Sequence, residues 1–407
     1  MTYSHPRPLA LVPLAALALA ASACGRDGGA AAGRWEGTVD TLPGGAVRVQ
    51  NPEHGIWKAG EGWMLVEELR IGSAEVDGPE LFGQVAALTV DPLGRIYVLD
   101  DQAKEVRVFD ARGKHVRSFG RKGGGPGEFE SPGSLDWDPQ GHLWIVDQSN
   151  ARFSVFDTAG AFVTSHRRRG GFSMVPWPGG LDAQGRVYDA AMLPGGTLFR
   201  TGLVRLDEQF EPADTFRTPE YEQAAFFYKD EKGTTRMSAA VPFSPAQTSR
   251  LDREGHLWIG TTDRYRLHRI TIAGDTTRIV ERPFTPVAVS SNEKDEAVKN
   301  LKWFTDQGGK IDPSRIPGKK PAFTGFQVDE EGYLWVWPAV AEGEEGSVID
   351  VFDPEGRYLG QIRSEAKIGA RGRFVVRGDR LYTVVTDELE VPYVVRYRIQ
   401  GRTPAGA

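Results

Sequence analysis

The sequence predicts an all-β fold, a six-bladed β-propeller whose blades are four-stranded antiparallel sheets. Three observations predict it. A short motif recurs six times, three of the five intervals between its copies are 44 to 47 residues, and turn-forming residues are abundant, with 49 Gly and 26 Pro. One four-stranded blade takes about 40 to 50 residues. The other two intervals, 70 and 77 residues, fit the same unit with an insertion.

Each copy of the motif combines an apolar residue, a tight D-x-x-G turn and an aromatic residue inside a run of strand-forming residues. The clearest copies are VDPLGRIYVLD (90–100) and WDPQGHLWIVD (137–147). The aromatic residues of the six copies are Tyr97, Trp144, Tyr188, Trp258, Trp335 and Tyr382. Gly accepts positive φ and Asp bonds nearby amides, so this pair serves the turn, while the aromatic residue is placed to pack between blades.

The two ends of the repeat array predict how the ring closes. The sixth copy lacks an outer strand, whereas the strand-like segment WMLVEELRIGS (63–73) precedes the first copy without a partner. We expect this segment to complete the sixth blade by pairing with residues 394–399. Such pairing removes an exposed sheet edge and joins the two ends of the domain.

Residues 83–163 resemble two consecutive NHL-type repeats. They carry the rhythm GPGEF…P, D-x-x-G-x-[LI]-[YW]-V-x-D and V-F-D-x-x-G. The resemblance extends over about 63–400; it is close in the first two copies, fair in the fourth and fifth, and weak in the third and sixth. It implies a six-bladed propeller of the kind found in exported bacterial lipoproteins.

The N-terminus predicts export. The apolar run 9–21 has 13 residues, fewer than the roughly 20 that a spanning helix needs, which favours a signal peptide over residues 1–23. The only cysteine, Cys24, follows AASA and resembles the lipidated residue of a bacterial lipobox. The alternative is an ordinary export signal cut after ASA, with Cys24 as a chance free thiol.

The predicted organisation follows from these segments. We expect the lipidated cysteine, a flexible tether and a small hairpin in 24–60, the propeller in 61–400 and a C-terminal tail in 401–407. The protein is then exported and membrane-anchored, facing the periplasm or the cell surface. Without residues 1–23 the chain has 48 Lys or Arg against 55 Asp or Glu, a charge of −7, which argues against nucleic-acid binding. We expect a monomer that contacts the membrane only through its lipid.

Long loops predict the binding face. The segments that join an outer strand to the next inner strand, and so lie on one face, are 120–132, 167–179, 211–248 and 279–323. Insertions collected on one face commonly form the binding surface. The candidate residues in them are Arg167, Arg168, Arg169, Trp177, Phe227, Tyr228 and Trp303. They could hold a small acidic ligand, a glycan or an envelope protein; the alternative is that the aromatic residues only cap the propeller core.

Two of these loops carry recognisable local signals. In the last, Ser290 and Glu293 have capping-box spacing, and Ala297, Leu301 and Phe304 lie on one helical stripe. The first, GRKGGGPGEFESP, is glycine-rich, but a turn and a strand follow it where a phosphate-binding loop would open a helix. We interpret it as a corner whose Arg121 and Lys122 belong to the rim.

The central channel provides the remaining candidates. Asp136, Arg250 and Gln327 stand at matching positions of three inner strands, two residues before the Asp of the motif, and are expected to face the channel. HExxH, GxSxG and CxxC do not occur in the sequence, and we predict a non-catalytic protein without a cofactor. The alternative is a calcium-dependent lactonase, hydrolase or lyase. Six-bladed propellers of the gluconolactonase type hold calcium in the channel with oxygen ligands, and Asp136 could be one such ligand.

Overall fold

The computed structural model describes residues 34–58, 60–74, 78–169, 177–192, 201–369 and 373–403. Its strands form six antiparallel blades in a ring, which confirms the predicted fold class. The predicted signal peptide and Cys24 lie outside the described residues and remain predictions. Among the helices of the described ranges, none is long and apolar enough to cross a membrane.

The strands and helices follow the repeat order. The strands before the first repeat are β1 (Thr38–Thr41), β2 (Val47–Gln50) and β3 (Met64–Ile71). Blade 1 contains β4 (Val85–Val90), β5 (Ile96–Asp100), β6 (Glu105–Phe109) and β7 (His115–Phe119). Blade 2 contains β8 (Pro132–Trp137), β9 (Leu143–Asp147), β10 (Arg152–Phe156) and β11 (Phe162–Arg167). Blade 3 contains β12 (Gly180–Leu181), β13 (Val187–Met192), β14 (Thr201–Leu206) and β15 (Pro212–Thr215).

Two insertions interrupt the second half of the ring. The first forms a hairpin of β16 (Ala225–Lys229) and β17 (Thr235–Ala240). Blade 4 then contains β18 (Gln247–Leu251), β19 (Leu257–Thr261), β20 (Arg266–Ile270) and β21 (Thr276–Glu281). The second insertion contains the helices α1 (Ser291–Asn300) and α2 (Lys302–Asp306) and a 3-10 turn (Pro313–Arg315). Blade 5 contains β22 (Phe323–Val328), β23 (Leu334–Pro338), β24 (Ser347–Phe352) and β25 (Tyr358–Ser364), and blade 6 contains β26 (Phe374–Arg377), β27 (Arg380–Thr386), β28 (Pro392–Gln400) and β3.

The ring closes through the N-terminal strand. β3 pairs antiparallel with β28, from Ile71 opposite Val394 to Met64 opposite Gln400, which confirms the predicted pairing. Beyond β28, Arg402 is only 1% exposed and its guanidinium lies 2.9 Å from the Asp329 carboxylate. The folded body therefore extends past residue 400, where the sequence predicted a tail.

The repeated turns confirm the structural role of the motif. In blade 1 the Asp91 carboxylate accepts hydrogen bonds from the amides of Leu93 and Arg95, at 3.0 and 2.9 Å. In four blades the Asp carboxylate of the motif also accepts a hydrogen bond from the Tyr hydroxyl or Trp Nε1–H of the aromatic residue. The pairs are Asp91–Tyr97, Asp138–Trp144, Asp182–Tyr188 and Asp329–Trp335. Burial raises the pKa of Tyr188 to about 12, with the nearby Asp182 adding to the shift. In these four blades the Asp of the motif thus holds the interblade aromatic residue of its own blade.

The N-terminal hairpin forms as predicted but joins a blade. β1 pairs with β2, and β2 continues blade 4 by pairing in parallel with β21. Asn51 then connects blades 4 and 5. Its side-chain Nδ2 donates a hydrogen bond to the Gly356 carbonyl at 2.9 Å, and its backbone N–H donates one to the Glu281 carbonyl at 2.8 Å. The segment before the propeller is therefore part of its outer wall.

Candidate functional site

The two long insertions fold together. Residues 219–246, which include β16 and β17, and residues 282–322, which include α1 and α2, share a hydrophobic core separate from the cores of the blades. Its buried members are Phe226, Ala239, Val241, Phe304 and Ile316. We call these two segments the insertion module. The predicted binding face thus carries one packed body built from two loops.

The start of α1 is fixed as the sequence predicts. Ser290 Oγ accepts a hydrogen bond from the Glu293 amide, and the Glu293 carboxylate accepts one from the Ser290 amide, both at 3.0 Å. Lys320 Nζ donates to Glu293 and, at 2.8 Å, to the Val340 carbonyl after β23. Burial would raise the pKa of Glu293, but the bonds from Lys320 and Ser290 hold it below its ordinary value. The helix is therefore attached to blade 5 at its first turn.

The predicted aromatic candidates separate into exposed and packed residues. Phe227 is 38% exposed and Trp303 is 48% exposed, both on the insertion module. Tyr228 is half-buried and packs against the core of the module. Trp177 packs between blades 2 and 3, where its Nε1 donates to the Tyr188 carbonyl at 2.7 Å and its ring lies 5.5 Å from Phe153. Phe227 and Trp303 are thus the candidates that present a large apolar surface to solvent.

The predicted arginine run does not form one basic cluster. Arg168 is 4% exposed, and its guanidinium holds the Asp189 carboxylate through two bonds of 2.6 and 2.7 Å. Arg169 is half-exposed and pairs with Glu211 at 2.6 Å, while Arg167 is exposed at the end of β11. Arg168 is therefore buried and does not lie at the rim, where the sequence placed it. The Asp189 carboxylate compensates its charge, and a buried arginine requires such a partner.

The three channel candidates lie on inner strands, in matching register. Asp136, Arg250 and Gln327 stand directly opposite the aromatic residues of their own blades. Arg250 Nε donates to Gln327 Oε1 at 3.1 Å, from blade 4 to blade 5. The Asp136 carboxylate accepts from the Leu181 amide at 2.8 Å and from Arg253 at 3.0 Å. All three side chains thus take part in contacts between blades.

A charged network continues from Asp136 around one end of the channel. Arg253 lies 3.6 Å from Glu330, and Glu330 lies 3.3 Å from Arg377, whose Nη1 donates to the Val90 carbonyl at 3.0 Å. The carboxylate of Asp136, foremost, raises the pKa of Arg253. Together with Leu181 of blade 3, which donates its amide to Asp136, the network includes one residue from each of the six blades.

Sequence reasoning missed Arg253, Glu330 and Arg377 because they lie in or beside turns that were interpreted only as turns. A usable signal was present. Arg253 and Glu330 occupy the same position of the motif, immediately after its Asp, in consecutive blades and with opposite charges. Opposite charges at equivalent positions of adjacent repeats indicate an ion pair between neighbouring blades.

The channel does not offer a calcium site in the part of the chain that the structure describes. No group of three or more His, Cys, Asp or Glu among these residues is placed to hold a metal ion. The oxygens of Asp136, the one ligand the sequence suggested, are already bonded to Arg253 and the Leu181 amide. Calcium takes six to eight oxygen ligands. Asp136 in this arrangement does not fit such a ligand set.

A buried polar cluster lies where the second insertion leaves blade 4. Asp350 is fully buried and accepts hydrogen bonds from the hydroxyl groups of Tyr265 and Tyr358, at 2.5 and 2.9 Å, and from Arg282 at 3.0 Å. The Arg282 guanidinium stacks 4.0 Å from the Tyr358 ring, and burial raises the pKa of Tyr265. A cavity of about 290 Å³ borders this cluster. The charges of Asp350 and Arg282 balance each other. The cluster joins blades 4 and 5 at the point where the second insertion begins.

Comparison with known proteins supports the fold. A family model described as a 6-bladed beta-propeller matches residues 80–167. No curated protein matches the chain. A Bacteroides fragilis protein described as exported has a TM-score of 0.50 at 14% identity, covering 87% of this chain and 99% of that one.

Two enzymes are also among the similar solved structures. Virginiamycin B lyase from Staphylococcus aureus has a TM-score of 0.38 at 13% identity, covering 78% of this chain and 86% of that one. A gluconolactonase from Xanthomonas campestris has a TM-score of 0.35 at 12% identity, covering 78% and 88%. Likeness at this level carries no inference about activity. The chain is thus a six-bladed β-propeller that is similar to an exported protein.

Proposed function

We propose that this protein is a cell-envelope lipoprotein that binds a ligand or protein partner through the face carrying the insertion module, without catalysis of its own. The observation that supports the proposal is the shared core of the module, in which two loops from different blades pack as one body. Loops that only connect strands need no core, and binding residues are often placed on loops that a rigid scaffold positions.

The exposed aromatic residues of the module favour a contact role. Phe227 and Trp303 are exposed on the module, as are Tyr221 and Phe284. The core residues Phe226 and Phe304 of the same module are packed inward. Exposed aromatic side chains of this size are enriched where proteins bind partners. A small ligand, a glycan and an envelope protein all remain within this proposal.

Site-specific photo-crosslinking in living cells tests the proposed face. A photoreactive phenylalanine analogue is placed at Phe227 or Trp303, and at Leu93 and Leu389 as exposed control positions in turns of other blades. We expect discrete adducts from the two module positions and none from the controls. The same adducts from all four positions, or none from the module, would contradict the proposal.

The anchor is tested separately. Lipidation of Cys24 predicts that palmitate labelling is lost in Cys24→Ala, and labelling that persists would remove the lipoprotein part of the proposal. A calcium-dependent rise in the melting temperature would instead favour a catalytic channel, because ligands that bind the folded state stabilise it.

A further inference from the structure

Charge is unevenly distributed in the insertion module. Residues 297–322, which we call the basic segment, contain six Lys or Arg and two Asp, a formal charge of +4, although the chain as a whole is at −6. Five of the six cations are exposed: Lys299, Lys302, Lys310, Arg315 and Lys319. The acidic residues of α1, Glu293, Asp295 and Glu296, lie before the basic segment. The exposed end of this insertion is therefore cationic on an otherwise anionic protein.

The basic segment also exposes an aromatic ring. Trp303 is 48% exposed in α2, immediately after Lys302, while the adjacent Phe304 is fully buried in the module core. Phe304 fixes the helix to the module, so that Trp303 is held outward beside the lysines. Tryptophan next to lysine is the combination that is enriched where proteins meet a lipid headgroup layer.

The start of the described chain lies next to this insertion. Trp35 Nε1 donates to Asn51 Oδ1 at 3.0 Å, and the Asn51 amide donates to the Glu281 carbonyl at 2.8 Å. Glu281 is the residue before the second insertion begins. Nine residues separate Cys24 from Arg34, and the ten residue steps between them span at most about 35 Å. A lipid on Cys24 would hold this corner of blade 4, and with it the insertion, close to the membrane.

We propose that the basic segment lies against the anionic phospholipid headgroups of the membrane, with Trp303 inserted at the interface. This inference rests on the proposed function for the Cys24 anchor and the face that carries the module, and it replaces the expectation that the protein contacts the membrane only through its lipid. It adds a second contact to the expected anchor.

Vesicle sedimentation tests the contact without the lipid anchor. The mature chain from residue 24, carrying Cys24→Ser, is mixed with vesicles of phosphatidylglycerol and phosphatidylcholine, or of phosphatidylcholine alone. We expect it to sediment with the anionic vesicles only, and to be released by high salt, because exposed charges are screened. Each lysine near such a surface contributes about fivefold to binding, so losing three of them lowers the partition coefficient by about 100-fold. Lys299→Glu/Lys302→Glu/Lys310→Glu should have at least this effect, because the new carboxylates are also repelled by the anionic surface.

The control reverses charge away from the predicted binding face. Arg112→Glu/Lys114→Glu changes two exposed cations in the turn that joins β6 to β7, and should bind anionic vesicles nearly as the parent does. Trp303→Ala should weaken binding but keep its salt dependence. Circular dichroism melting of each variant establishes that it is folded.

Three outcomes would overturn the inference. They are equal binding to neutral vesicles, equal binding by the triple variant, and binding to soluble polyphosphate without binding to vesicles, which would assign the basic segment to an acidic polymer. Crosslinks to a protein at Phe227 together with no vesicle binding would leave the proposed function standing and this inference refuted.

Discussion

Blade 6 and the insertion module are held together in opposite ways. Blade 6 joins the two ends of the domain, with β3 beside β28 and Arg402 buried against Asp329 of blade 5. The insertion module is built from two insertions on either side of blade 4 and has a core of its own. The comparison teaches that stability of the ring depends on contacts between chain ends, whereas the module can change its surface without opening the ring.

The chemistry of the two regions differs as well. The Arg402 guanidinium lies within 4.5 Å of the Tyr333 ring and 5.1 Å of the Trp63 ring, so that a charge is buried inside an aromatic cluster. The module instead exposes most of its charges and several aromatic rings, while the Lys320–Glu293 pair is largely buried. The exposed rings are those of Tyr221, Phe227, Phe284 and Trp303. Removing a buried charge partner is costly, while changing an exposed charge affects chiefly what the surface binds.

Removal of the closing strand should have the largest effect. Deletion of 63–73 leaves β28 without its partner and exposes a sheet edge, so we expect the whole domain to unfold as one unit, with a greatly lowered melting temperature. Deletion of 25–33, before the described body, should leave the melting temperature unchanged. Calorimetry compares the two, and equal melting temperatures would contradict the role assigned to β3.

Arg402→Ala should come next, with a loss of about 3–5 kcal/mol in the free energy of unfolding, because Asp329 is left buried without its charge partner. Burial already raises the pKa of Asp329 against the opposing effect of Arg402. In the variant this pKa rises further. A carboxylate whose folded pKa is raised destabilises the fold when ionised, so the difference from the parent should shrink as pH falls through that pKa.

Denaturant unfolding at neutral and mildly acidic pH measures this loss. Arg48→Ala is the control, because Arg48 pairs with Asp40 at 2.9 Å while both side chains are partly exposed, and should cost about 1 kcal/mol or less. A pH-independent loss in Arg402→Ala would show that aromatic packing, and not the ion pair, is what the arginine contributes.

Phe226→Ala tests whether the module is independent of the ring. Truncating a buried Phe costs about 3–5 kcal/mol at its site. We expect the loss to appear as faster hydrogen exchange and protease cleavage within 219–246 and 282–322, with little change in the global melting temperature. Phe109→Ala, in the core between blades 1 and 6, should instead lower the global melting temperature. Equal global losses would mean that module and ring unfold together.

Gly180→Ala should have the smallest effect and reports on the channel network. Gly180 has φ +88°, and an added Cβ would lie 2.8 Å from Asp136 Oδ2. The left-handed conformation costs an L-residue about 1–2 kcal/mol, and the contact adds to it by displacing Asp136. Gly141→Ala is the matched control, with φ +83° and no atom within 4 Å of the added Cβ. Equal melting temperatures for the two variants would mean that the Asp136 side chain moves away from the added Cβ without a loss of stability.

The candidate site was only partly predictable, and particular residues show why. Phe226 and Phe227 are adjacent and chemically identical, yet one is buried in the module and the other is exposed. The strand alternation that separates them becomes visible only once the partner of β16 is known. Arg168 looked like its neighbours Arg167 and Arg169 until Asp189, from the weak third repeat, was placed beside it.

The sequence by itself determined the repeat, its turns and interblade aromatic residues, the helix cap at Ser290 and the closing strand. These features depend on local patterns and on the rule that a ring leaves no strand edge unpaired. Only the tertiary structure decided which charges form pairs, since Arg253 meets Asp136 across 117 residues of chain. It also decided that two insertions share one core. Such contacts depend on how blades face one another, and no spacing within a single repeat encodes that.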